Sequence, residues 1–209
     1  MTLWAVVPTK APDKAKFRLS NVLTDVQRER LMRTMLSDVL KYLSHVLGIS
    51  GVALVAPDPG IAPPGVRWIG DPGGGLNAAL AHAARVLHSE GVTAILIISA
   101  DTPLTTPREI DCIVAAGRES RIVLVPDRGE SGTNALLLSP PTLMLPIFGE
   151  QSFTRHIERA EDLGIKPMVL RLPGLGLDID GPEDLEALRK RVIHRNAYEF
   201  LRPCAGEKQ

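Results

Sequence analysis

Ala94-Ile95-Leu96-Ile97-Ile98-Ser99-Ala100-Asp101 is the stretch on which the fold turns. An apolar run of strand length, with no polar residue alternating through it, describes a strand covered on both faces. It closes on a carboxylate. The rest of the chain repeats the theme, with strand-like runs at 3–8, 51–56, 121–125, 134–138, 167–172 and 176–179 around this one at 94–99. Helix-like stretches fall between them at 25–46, 76–89, 107–117, 152–163 and 182–194. The first carries Leu31, Met35, Leu36, Val39, Leu40 and Leu43 at helical spacing. Thr24 with Gln27, and Thr106 with Pro107 and Glu109, are helix-start signals. Strand then helix, repeated, predicts an α/β fold with a mainly parallel sheet between helices. Such sheets bind ligands at the carboxyl ends of their strands, where Asp101 falls.

The chain has 209 residues, enough for one domain with a sizeable core. Lys plus Arg and Asp plus Glu both number 24, so no global field favours nucleic acid or an anionic membrane. The apolar runs are too short to span a bilayer, and the N-terminus enters a strand at Leu3 with no basic leader, so a cytoplasmic protein is expected. Cys112, expected in a buried helix, and Cys204 in the tail have no metal-ligand spacing and give little support for a disulfide. Segments 57–75 and 126–133 read as surface loops. Residues 1–194 read as the domain and 195–209 as a loosely packed C-terminal extension.

Chemistry is carried by local clusters. Asp178 and Asp180, two apart on an extended segment, point to one face. With Asp101 they suggest a magnesium site, because hard cations take oxygen ligands. Lys10, Lys14, Lys16 and Arg18 put four cations on the loop after the first strand, suited to phosphate or simply to solvent. Gly73-Gly74-Gly75-Leu76-Asn77 opens a helix; its glycines would let a flat base approach, and Asn77 would hydrogen-bond that base. Residues 125–134, ending in Gly132-Thr133-Asn134, suit either anion binding by backbone N–H groups or a turn held by side-chain hydrogen bonds. Ser152 is placed to cap the fourth helix at an anion-binding terminus, and His156 reads as a packing or hydrogen-bonding residue rather than a general base. No phosphate-binding Gly-x4-Gly-Lys loop, zinc cluster or nucleophile elbow occurs.

In order, Val-Pro-Thr-Lys with Ala-Lys-Phe-Arg-Leu (7–19), Gly-Gly-Leu-Asn-Ala-Ala-Leu (74–80), Ile-Ser-Ala-Asp-Thr-Pro-Leu (98–104), Pro-Asp-Arg-Gly-Glu-Ser-Gly-Thr-Asn (126–134), Phe-Gly-Glu-Gln-Ser-Phe-Thr-Arg-His (148–156) and Leu-Asp-Ile-Asp-Gly-Pro-Glu-Asp-Leu (177–185) resemble the CofC/FbiD family of guanylyltransferases. The resemblance implies a single glycosyltransferase-A type domain, a three-layer sandwich on a mixed, mainly parallel sheet. It implies transfer of GMP from GTP to the phosphate of phosphoenolpyruvate, 2-phospho-L-lactate or 3-phospho-D-glycerate, in the biosynthesis of the deazaflavin coenzyme F-420. Asp101, Asp178 and Asp180 would then hold Mg2+, and Lys10, Gly74, Gly75 and Asn77 would meet GTP. Lys16 and Arg18 would join Asp101 in catalysis, while Thr133, Gly149 and Ser152 would hold the acid. Phe17 and Gly181 depart from the family's more usual small residue and Thr. A same-fold nucleotidyltransferase with another nucleotide or acceptor, a glycosyltransferase, and a non-catalytic nucleotide-binding domain are the competing readings. Oligomeric state stays open, a homodimer included, as does hand-off of product to the downstream deazaflavin transferase.

Overall fold

The structure is a computed structural model and describes residues 1–9, 16–192 and 196–201. Among these, one sheet is built from β1 (Leu3–Pro8), β2 (Gly51–Ala56), β3 (Arg67–Gly70), β4 (Ala94–Ile98), β5 (Ile122–Pro126), β6 (Thr133–Leu138) and β7 (Met168–Val169). The helices are α1 (Asp25–Ser44), α2 (Leu76–Ser89), α3 (Pro107–Glu119), α4 (Ser152–Asp162) and α5 (Pro182–Arg191). The strands lie in the order β3-β2-β1-β4-β6-β5-β7. Only β6 runs against its neighbours, so the expected mixed, mainly parallel sheet is the one found.

The apolar run that predicted a doubly covered strand is β4, and all five of its residues are buried. Ala94, Leu96 and Ile98 face the core under α1 and α3, while Ile95 and Ile97 face the core under α2 and α4. The capping boxes at Thr24 and Thr106 both form. A cap contributes about 1 kcal/mol, whereas each fully buried Leu or Ile contributes about 1.5–3 kcal/mol. Packing therefore holds α1 against the sheet, and the cap decides where it begins.

Several expectations need correction. The run 57–75 was expected to be loop throughout, but Arg67–Gly70 adds to the sheet edge as β3 beside β2. At 167–172 only Met168 and Val169 pair, with β5. Residues 176–179 are not a strand; they cross the end of the sheet, and Ile179 donates its N–H to the carbonyl of Asp101. Cys112 lies on α3 as expected but is exposed, and Cys204 is outside the described residues. The boundary at 194 does not mark where packing ends. Tyr198 and Leu201, in a 3-10 turn at Asn196–Leu201, are buried with α1 and α5, and the Tyr198 hydroxyl donates to Asp38 at 2.9 Å. Among the described residues no helix is long and apolar enough to cross a membrane.

A third cluster gathers Leu19, Leu31, Met35, Leu177, Ile179, Leu185 and Leu188. It ties the chain just after β1 to the segment before α5. That segment is steered by a close approach at Gly174, whose N–H donates to Glu109 Oε1 at 2.6 Å. A Cβ there would fall on the Leu104 carbonyl oxygen and on the Glu109 carboxylate. Gly174→Ala is expected to destabilise the protein by about 2 kcal/mol, lowering Tm by roughly 4–8 °C. An unchanged melt would show that the turn relaxes freely and does not fix the segment that follows.

Candidate active site

From β1 the chain builds β2 and β3 on one side, then returns to lay β4 on the other. The reversal opens a crevice at the carboxyl ends of β1 and β4, the place where doubly wound sheets bind ligands. A cleft of about 450 Å³ lies there, floored by Pro8, Thr9, Val55, Ser99 and Ala100 and walled by Lys16, Asp101 and Asp180. Ile179 and Leu19 share one buried cluster, which brings the loop after β1 beside the 178–180 segment. Ile179 is buried, and of its two neighbours Asp180 lines the cleft while Asp178 bonds Asn134.

Lys16 Nζ lies 2.5 Å from Asp101 Oδ2 and 2.7 Å from Asp180 Oδ1. Burial works against this ammonium, but the two carboxylates outweigh it and hold its pKa above the ordinary lysine value. The backbone of Lys16 sits at φ +58, a left-handed conformation costing a non-glycine residue about 1–2 kcal/mol. The double ion pair offsets that cost.

Asp178 stands behind the pair, and its Oδ1 accepts from Asn134 Nδ2 at 3.2 Å. Burial first, and then the charges of Asp101 and Asp180, push its carboxyl above the usual range, against the pull of the Asn134 hydrogen bond. One ammonium thus faces three carboxylates. Asp101 Oδ1 is also buried with no hydrogen-bond partner among the described residues. Both observations suit a divalent cation. As they stand, no three His, Cys, Asp or Glu groups among the described residues enclose an ion; Lys16 occupies the space between two of them.

Of the residues expected to meet a nucleotide, Gly75 lines the cleft with Leu76 and Ala79, and Arg18 is exposed at its rim. Gly73, Gly74 and Gly75 take φ of +83, +85 and +90, a run that only glycines follow without strain. It leaves the N-terminus of α2 with no side-chain cap, its amides open toward the cleft. Gly74 does not line the cleft. Asn77 is a correction. It was expected to bond a base, but its Oδ1 accepts the Phe148 N–H at 2.8 Å and its Nδ2 donates to the Phe148 carbonyl at 3.0 Å. Asn77 braces the loop before α4. Lys10 lies outside the described residues.

Thr133, Gly149 and Ser152 come together on the far side of Asp178. Thr133 precedes Asn134, whose Nδ2 also donates to the Leu175 carbonyl at 2.9 Å. The Ser152 N–H donates to the Gly149 carbonyl at 3.1 Å, and the next amide, of Phe153, donates to Ser131. Ser152 is not the expected cap: it is the first residue of α4, after a left-handed Gln151 at φ +53. Its hydroxyl has no hydrogen bond among the described residues. In the 126–133 loop the turn reading is the one the structure supports. Asp127 accepts the amides of Ser131 and Gly132 at 3.0 and 2.7 Å, so these are not free for an anion.

His156, one turn below Ser152 on the same face of α4, is fully buried. Its Nδ1 lies 3.0 Å from Thr133 Oγ1, and its Nε2 accepts the Ile147 N–H at 3.0 Å. Burial, and then the charge of Arg155, push its pKa down to about 4. The bracing roles of Asn134, Asn77 and Asp127 were not read from the sequence. Asn134 and Asp127 stood inside a quoted motif, and only the motif's position next to a strand start marked them out.

The family described as "Guanylyl transferase CofC like" matches residues 3–205. A phosphoenolpyruvate guanylyltransferase of Sphaerobacter thermophilus is 41% identical over 192 residues, covering 90% of this chain and 93% of its own length. A putative nucleotide-diphospho-sugar transferase from Desulfovibrio desulfuricans G20 superimposes with a TM-score of 0.78 at 15% identity, covering 95% of this chain and 91% of its own. Rv0371C from Mycobacterium tuberculosis H37Rv, in complex with manganese, superimposes with a TM-score of 0.60 at 16% identity, covering 91% and 99%. By fold, by ordered motifs and by descent, this chain belongs to the CofC-like guanylyl transferase family.

Proposed function

We propose that this chain transfers GMP from GTP to the phosphate of a three-carbon phospho-acid and releases pyrophosphate. Phosphoenolpyruvate is the acid assigned first, because the Sphaerobacter relative carries that name. 2-Phospho-L-lactate and 3-phospho-D-glycerate are the alternatives, and coenzyme F-420 biosynthesis is the pathway the reading implies. One observation carries it: Asn134 bonds Asp178 on one side and follows Thr133 on the other, which links the carboxylate cluster to the proposed acid-binding face.

The attacking phosphate oxygen is ionised at neutral pH, so the reaction needs no general base. The one buried histidine beside the site has both ring nitrogens engaged and a depressed pKa, which agrees with that. The barrier is then lowered by positioning and by neutralising charge. Asp101, Asp178 and Asp180 would hold magnesium, which when bound supplies Lewis-acid neutralisation of the phosphate oxygens. Lys16 is the buried positive charge of the site. Released from its two carboxylates, it would pair with the departing pyrophosphate, together with Arg18 at the rim. The open amides of α2 at Gly75 would receive the nucleotide, while Ser152 and Thr133 would donate to the acid.

Asp101→Asn is expected to abolish pyrophosphate release from GTP and phosphoenolpyruvate with the thermal melt kept or slightly raised, since one of three crowded negative charges is removed. Retained turnover would sink the metal assignment. Chelation is expected to stop the wild-type reaction, and magnesium or manganese to restore it; turnover in excess chelator would refute a divalent requirement. Ser152→Ala is expected to raise KM for the acid roughly tenfold while KM for GTP moves less than twofold. Equal losses would remove Ser152 from the acceptor site. Running each nucleoside triphosphate against the three acids tests base and acid choice together.

A further inference from the structure

His156 touches neither the cleft nor the carboxylates, yet it sits where three parts of the acceptor face meet. Its Nε2 accepts the main-chain N–H of Ile147 at 3.0 Å. A nitrogen that accepts from an amide carries no proton, so the single proton of the neutral ring is on Nδ1. That nitrogen lies 3.0 Å from Thr133 Oγ1 and must donate to it. The opposite direction, hydroxyl to Nδ1, would leave the ring without any proton. With one of the two lone pairs of Thr133 Oγ1 taken by the ring, its own hydroxyl proton still has no acceptor among the described residues. Thr133 is 5% exposed and His156 fully buried, so what surface remains on this pair belongs to the threonine.

The ring is held from further sides. Its edge meets Phe148, with centroids 5.2 Å apart and planes at 74°. The Phe148 backbone is in turn clamped by Asn77. His156 and Asn77 therefore fix consecutive residues, Ile147 and Phe148, immediately before Gly149.

We propose that His156 is a positioning residue that, by donating to Thr133 Oγ1, leaves the Thr133 hydroxyl proton turned outward as a donor, matching the acceptor site to a carboxylate. This rests on the reading of Thr133 as an acid-binding residue. A group that only accepts, such as a carboxylate oxygen, is favoured at this point. A substrate group that must itself donate would share the oxygen with the ring and leave the hydroxyl proton unmatched.

The test separates the two ring nitrogens. Gln at 156 reaches the Nε2 position and still accepts from Ile147, but loses the donor to Thr133. Asn at 156 places an N–H near Nδ1 and keeps that donor. His156→Gln is expected to raise KM for phosphoenolpyruvate roughly tenfold with KM for GTP within twofold, matching Thr133→Val. His156→Asn is expected to stay within about threefold of wild type. Thr133→Val with His156→Gln is expected to be no worse than Thr133→Val alone, because both remove one interaction.

If Thr133→Val leaves the acid KM unchanged, the acceptor-site reading fails and the inference falls with it. If Thr133→Val weakens the acid but His156→Gln does not, or the two losses multiply, only the role of His156 is overturned. A measurement on unmutated protein stands beside these variants. Nitrogen-15 spectra of histidine-labelled wild type should contain one imidazole that is protonated on Nδ1 and does not titrate between pH 5 and 8, absent in His156→Asn. An Nε2–H form for that ring would refute the proposal directly.

Discussion

Like charges crowded at the end of a sheet are the constraint around which this molecule is arranged. Asp101 is carried there by β4, the most apolar strand, and cannot retreat without unburying Ile95 to Ile98. Asp178 and Asp180 are laid beside it by one main-chain hydrogen bond, from Ile179 to the Asp101 carbonyl. The strain shows at Asp178, whose carboxyl is pushed above the usual range by burial first and then by the charges of Asp101 and Asp180. A single ammonium, from Lys16, offsets part of this. A fold of this size keeps such a cluster only because its stability comes from elsewhere, in the two large apolar cores on either face of the sheet. The site is a locally unfavourable charge arrangement on a favourable scaffold, of the kind a divalent cation relieves.

The same economy runs through the neutral half of the site. Polar side chains here are assigned one to a task, and most tasks are bracing. Asp127 ties the loop before β6, Asn134 ties β6 to Asp178, Asn77 clamps Phe148, and Glu109 steers the turn at Gly174. What is left over, the Ser152 hydroxyl and the hydroxyl proton of Thr133, is what is proposed to meet the acid. In a buried setting an unmatched polar group costs about 1–3 kcal/mol, so a site with few spare groups discriminates by what it leaves unsatisfied.

Much of this was legible in the sequence, for reasons that differ by element. Strands buried on both faces announce themselves, so β1, β2, β4, β5 and β6 were read within a residue or two. Helix starts at Thr24 and Thr106 were legible because a capping box is local. β3 was missed because four residues at a sheet edge, with Trp68 half out in solvent and Gly70 at its end, carry no periodic signal. Residues 176–179 looked like a strand because Leu177 and Ile179 are buried, but no ladder partner is available at the end of the sheet. The three aspartates and Lys16 were found because charge beside an apolar strand is conspicuous. Asn77 was misassigned because its partner lies 71 residues away, and an amide that braces a backbone is written in the same letter as one that reads a base.

The histidine shows why chemical type alone is a poor guide to role. Imidazole beside an anion-binding face invites the part of general base, and a reacting phosphate removes the need for one. Burial lowers the ring's pKa to about 4, and a main-chain amide fixes which nitrogen is bare. A ring that cannot change protonation state near neutral pH is a fixed dipole, with a donor end and an acceptor end held in known directions. Fixed dipoles organise a site more reliably than titrating ones, because their orientation does not depend on the charge that arrives beside them. Charge at the candidate site is therefore balanced by ion pairing, Lys16 with Asp101 and Asp180, while shape and polarity are set by neutral braces, Asn77, Asn134 and His156 among them.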